Sequence, residues 1–138
     1  MIQPVIYLLR GVSGCGKNFF AESIKNLYPE TIVCSADDYF TNKEGVYNFN
    51  PANLDEAHNA CRNKFEQALI ENQKVIIVNN TNVNEKQFGF YIDKAEIYKY
   101  KVISLVLERR HEGWNTHNVP AETLERQKNS IIESLKLI

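Results

Sequence analysis

The chain has 138 residues, enough for one compact domain and too few for two ordinary ones. Apolar residues make up 43% and charged residues 24%, the balance of a soluble globular protein. Sixteen basic against 17 acidic side chains leave a formal charge of -1, which excludes a strongly basic nucleic-acid module but leaves room for a local basic patch. No apolar run is long enough to span a bilayer, and residues 1–30 lack the cationic start, apolar core and small-residue cleavage site of a secretory leader. Cys15, Cys34 and Cys61 are odd in number and lack metal-ligand pairing, so reduced thiols in a cytoplasmic setting are expected.

Val5–Leu9 is the first of four short β-rich runs; Thr31–Cys34, Val75–Val78 and Val102–Leu107 follow. Their near-continuous Val, Ile and Leu content suits parallel strands covered on both faces. Helical patterns alternate with them. Lys17–Leu27 is stopped by Tyr28-Pro29, and the next runs from about Pro51 to Asn72, with Asn50 as N-cap and Pro51 at the first helical position. Its apolar stripe is Leu54, His58, Cys61, Phe65, Ala68 and Leu69, with His58 read as a core histidine. Glu85–Tyr98 forms the third helix behind Asn84, and a last one from Pro120 turns Leu124, Ile131 and Leu135 towards the core. This alternation predicts right-handed crossovers and a three-layer α/β sandwich.

Directly after the first run stands Gly11-Val12-Ser13-Gly14-Cys15-Gly16-Lys17-Asn18, which matches G-x-x-x-x-G-K with a strand before it and a helix after it. Small residues let the backbone curl so that several N–H groups point at one phosphate. The helix adds its positive end, and Lys17 adds a full charge for the β- and γ-phosphates. The eighth position departs from the pattern. Ser or Thr there binds Mg²⁺ through a hydroxyl, whereas Asn18 offers an amide oxygen on a longer arm beside a donor NH₂. After the second run come Asp37 and Asp38 in Ser35-Ala36-Asp37-Asp38-Tyr39-Phe40, two carboxylates where open α/β sheets place ligands. One of them could hold metal-bound water or take a proton from an attacking hydroxyl.

Taken together, the chain resembles the small P-loop kinases related to phage polynucleotide 5′-hydroxyl kinase and the eukaryotic AAA-type P-loop kinase domains of similar pattern. The likeness runs through Tyr7–Gly11, Ser35–Phe40, Tyr47-Asn48-Phe49, Leu54, Ala57-His58, Asn80-Thr81-Asn82 and His117-Asn118-Val119-Pro120 with Glu122. The resemblance implies a single αβα P-loop kinase-like domain over 1–138, with four parallel strands in the order 2-3-1-4 and a lid over about 108–118. It implies ATP and Mg²⁺ as cofactors, and a nucleic-acid end or a nucleotide as acceptor of the γ-phosphate at its 5′-hydroxyl; the short apolar runs give no expectation of a membrane partner. Carried over, Asp37 is the general base, Lys17, Arg109 and Arg110 act on the transferring group, Asn18 and (through water) Asp38 stand at the metal, and Gly11–Asn18 with Arg126 hold the nucleotide. The relatives commonly carry aspartate at the position of Asn80 and a second lid arginine at that of Trp114. Asn18, Asn80 and Trp114 together raise a nucleotide-binding module with impaired catalysis as an alternative.

A small-molecule kinase on the same scaffold is a further alternative. Tyr28–His58 holds six acidic residues and one basic residue, Lys43, so this segment repels a phosphate backbone. Tyr39, Phe40, Tyr47 and Phe49 flank the acidic pair, where stacking on a base and packing of a long loop are equal readings.

Overall fold

The computed structural model describes residues 3–112 and 117–137. Strands β1 (Val5–Arg10), β2 (Ile32–Cys34), β3 (Val75–Asn79) and β4 (Lys101–Val106) alternate with helices α1 (Lys17–Leu27), α2 (Leu54–Ile70), α3 (Glu85–Ile97) and α4 (Ala121–Glu133). The four strands form one parallel sheet in the order β2-β3-β1-β4. Local chemistry sets the boundaries. Tyr28 leaves α1 in extended conformation before Pro29, Asn50 caps a 3-10 turn over Pro51–Asn53 that runs into α2, and Asn84 Oδ1 accepts Gln87 N–H at 3.2 Å to start α3. The second helix ends at Ile70 rather than Asn72, because Asn72 turns left-handed with φ of 57°.

Strand alternation divides the core. Ile6 and Leu8 of β1, with Ile76 and Val78 of β3, pack with Cys61, Phe65 and Leu69 of α2 and Phe88 and Tyr91 of α3. Leu9 and Ile77 turn the other way and meet Ala21, Phe20 and Ile24 of α1. The central strands are thus covered on both faces, as their apolar runs predict. The edge strand is not: Val106 of β4 is 42% exposed and Lys101 and Ser104 face outwards. In α4, Ile131 is buried and Leu124 half-buried, but Leu135 lies past the helix end and is exposed, contrary to the expected stripe.

Arg10 explains how α4 is held. Its guanidinium is buried over the Phe88 ring at 4.4 Å, donates from Nε to Asn82 O at 2.8 Å, and also donates to Val83 O and Ser134 Oγ. One charged fork therefore joins β1, the β3–α3 connection and the end of α4. No helix among the described residues is long and apolar enough to cross a membrane.

Candidate active site

The loop between β1 and α1 is tightly set. A Cβ on Gly11 would collide with Cys15 Sγ and press on Leu107 O at 3.3 Å, while Gly11 N–H donates to Thr81 O at 3.0 Å. Gly16 leads into α1 with φ of 111°, a conformation that strains residues bearing a β-carbon. Helix α1 has no side-chain cap and no acid in its first turn, so its leading N–H groups and positive dipole end suit an anion. Lys17 is buried, and its Nζ donates to Gly11 O at 3.0 Å and Val12 O at 2.9 Å, beside Cys15 Sγ at 3.7 Å. Burial holds its pKa below the usual lysine value, opposed by Cys15 and by the charge of Asp37. From α4, Gln127 Oε1 accepts the N–H of Ser13 at 3.0 Å, a backbone donor of this loop.

A cavity of about 950 Å³ extends from this loop to the turn after β2. Ser35 Oγ accepts Asp37 N–H at 3.2 Å and starts a 3-10 turn over Ala36–Phe40, presenting the Asp37 carboxylate to the cavity. Two side chains from other segments meet it. His117 Nε2 stands 3.6 Å from Asp37 Oδ2, and Tyr47 lies close enough to feel the charge of the same carboxylate. The Tyr47 and His117 rings are themselves in contact, with centroids 3.8 Å apart. The Tyr47 phenol is pushed up to about 12, first by burial and then by Asp37. His58 is half-buried on the cavity wall rather than in the core, and its pKa is lowered by burial and by Arg62. Leu54, 41% exposed, joins that wall; the predicted stripe of α2 holds from Cys61 onward but not at its first turn.

The position expected for a metal has an unexpected composition. P-loop nucleotide sites hold Mg²⁺ with a Ser or Thr hydroxyl and a strand-end aspartate. Here Asn18 Oδ1 accepts Asn79 Nδ2 at 2.7 Å, so both members are neutral amides bonded to one another. Asn80, which the sequence suggests for the aspartate position, serves a different purpose. Its Oδ1 accepts Ala36 N–H at 2.9 Å and its Nδ2 approaches Cys61 Sγ, so it braces the turn that carries Asp37. Asp38 does not line the cavity; it is exposed and faces Lys64 at 4.0 Å. Among the described residues, no group of three or more His, Cys, Asp or Glu is placed to hold a metal ion. These residues do not fit a directly held magnesium.

Of the other residues expected at the site, Arg126 lines the cavity from α4. Arg109 and Arg110 do not line it. Both are exposed, with Arg109 Nε donating to His111 O at 3.0 Å and Arg110 paired with Glu108. Trp114 and the lid positions 113–116 lie outside the described residues. Asn79 and Gln127 have no place among the site residues expected from the sequence, whereas Tyr47, weighed there only for stacking on a base or loop packing, lies with His117 beside Asp37. For Asn79 a signal existed: counting by two from Ile77 places it on the α1 face of β3, opposite Asn18.

A family model described as an AAA domain matches residues 6–133. Human (Homo sapiens) NEDD4-binding protein 2 is 32% identical over 133 residues, covering 88% of this chain but 7% of that protein. The chain thus spans a small part of the length of that relative. A chain of the Pnkp1/Rnl/Hen1 RNA repair complex superposes with a TM-score of 0.69 at 17% identity, covering 97% of this chain and 46% of that one. A sugar kinase from a Janibacter species gives 0.57 at 16% identity, covering 98% and 80%. At such identities the structural likeness shows the fold, the α/β arrangement of P-loop kinases.

Proposed function

Because the chain belongs to that AAA-domain family and has the P-loop kinase-like fold, we propose that it is an ATP-dependent phosphotransferase that moves the γ-phosphate onto a hydroxyl. The acceptor proposed is the 5′-hydroxyl of a nucleic acid or nucleotide. One observation carries the reading: Lys17 of the phosphate loop and the Asp37 carboxylate line a single cavity, and the charge of Asp37 is felt at Lys17. Donor and acceptor could therefore lie between a cation and a base, which is what phosphoryl transfer asks of a protein. The loop amides from Val12 to Lys17 and the start of α1 bind the phosphates, and Lys17 leaves its carbonyl partners to neutralise them. Asp37 takes the proton of the acceptor hydroxyl as its oxygen attacks phosphorus. Tyr47 and His117 hold that carboxylate in place. Arg126 is assigned to the nucleotide, and Arg109 and Arg110 to the transferring group once the chain after β4 closes on it. The three cysteines are all free and buried, which agrees with a cytoplasmic place of action.

A second reading, a small hydroxyl compound as acceptor, is favoured by the cavity wall near Asp37. There Phe40, Tyr47, Phe49 and Leu54 stand, whereas the lysine and arginine of the described lining are Lys17 and Arg126 alone, few cations for a polynucleotide backbone. Incubation with γ-labelled ATP and either a 5′-hydroxyl oligonucleotide or a nucleoside tests both. Label on the oligonucleotide supports the first reading, label on the nucleoside alone supports the second, and nucleotide binding without transfer reduces the protein to a binding module.

A further inference from the structure

We infer that Asn18 and Asn79 make this a site for the metal-free nucleotide tail, in which amide donors take the place that a magnesium ion has in related sites. The inference rests on the nucleotide reading of the phosphate loop and deepens it. The two side chains reach one another from different elements. Asn18 is exposed in the first turn of α1, and Asn79 ends β3 with 7% of its surface exposed, paired in register with Leu9 of β1. Both line the cavity beside Lys17 and Gly16.

Their bond of 2.7 Å satisfies an acceptor on one amide and a donor on the other. Exchanging oxygen and nitrogen on both residues reverses the bond and keeps it, so the neutrality of the pair holds in either orientation. A dication would find no charge here, and would have to break this bond to reach an amide oxygen. The carboxylates in the described lining are Glu22 and Asp37, and Asp37 already faces His117 at 3.6 Å.

The same chemistry favours bare phosphate. A strand-end carboxylate repels the β-phosphate of free ADP and tolerates it only with a metal between them. An amide at that place removes the repulsion and can turn its NH₂ towards a phosphate oxygen. Lys17, the loop amides and the head of α1 supply the remaining positive field. Nucleotide recognition by this chain is therefore built on protein donors alone.

The test is calorimetric titration of ADP into the purified chain in excess EDTA and in excess MgCl₂. Wild-type affinity should differ by less than about fivefold between the two buffers. Asn79→Asp and Asn18→Asp should each lose at least about tenfold in EDTA and regain it with magnesium, because each places beside the phosphate a negative charge that a metal relieves. Asn18 is exposed, so its variant reports even if a carboxylate at the buried position 79 unfolds the chain. Wild-type binding that needs magnesium, or Asp variants that bind ADP in EDTA as the wild type does, overturns the inference while leaving the nucleotide reading standing. Absence of binding in both buffers overturns the two together.

Discussion

Replacing Asp37 with asparagine tests the proposed chemistry with little disturbance of structure. The backbone N–H of residue 37 stays bonded to Ser35 Oγ, and Ala36 stays braced by Asn80. What disappears is the charge and the basic oxygen. General-base catalysis contributes roughly 10²–10⁴ in rate, or about 3–5 kcal/mol of barrier. Asp37→Asn should therefore slow label transfer from ATP to the acceptor by that factor. Affinity for ADP should stay within about threefold, since the loop contacts are untouched. An independent readout comes from Tyr47, whose phenol is held up at about 12 by burial and by Asp37. In the variant it should ionise at lower pH, visible in the ultraviolet titration of tyrosinate. Undiminished transfer by Asp37→Asn would refute the assignment of the base, and an unmoved Tyr47 titration would refute the influence of Asp37 on the phenol.

Three further outcomes follow from the packing. Gln127→Ala frees the Ser13 N–H from a bond worth about 1 kcal/mol, so calorimetry should show ADP binding up to about fivefold tighter. Arg10→Met removes the donors to Asn82 O, Val83 O and Ser134 Oγ and leaves a buried carbonyl unpaired, which should cost about 2–4 kcal/mol and lower the melting temperature by about 8–15 °C in a thermal scan. Cys34 is fully buried, and burial, with Cys61 beside it, pushes its thiol up to about 12 from an ordinary 9.0. The unfolded chain gives up that proton above pH 9 and the folded chain keeps it, so stability is full below pH 9 and falls as pH rises towards 12. Urea midpoints measured across that window should decline, and Cys34→Ala should decline less steeply.

Much of this architecture was legible in the sequence because the signals were local. A strand running into Gly11–Lys17 and a helix stopped by Tyr28-Pro29 fixed β1, the loop and α1 with the helix bounds as expected. Asn50 and Asn84 marked helix starts through their side-chain oxygens. The site was only half legible, for two physical reasons. In Asn79-Asn80 both residues carry the same amide, and only the period of β3 sends one towards Asn18 and the other towards Ala36. The meeting of Asp37, Tyr47 and His117 joins segments far apart in the chain, and no spacing in the sequence encodes it. His58 and Leu54 show the converse. They continue an apolar stripe by spacing, yet the helix extends past the core there and turns them into cavity wall.

The most direct test of the central claim is a crystal structure of the chain grown with ADP. The account predicts the β-phosphate within hydrogen-bond distance of the backbone N–H groups of Gly14–Lys17, with Lys17 Nζ turned from the carbonyls of Gly11 and Val12 onto the phosphate. A nucleotide bound elsewhere, with Lys17 still on those carbonyls, would contradict it.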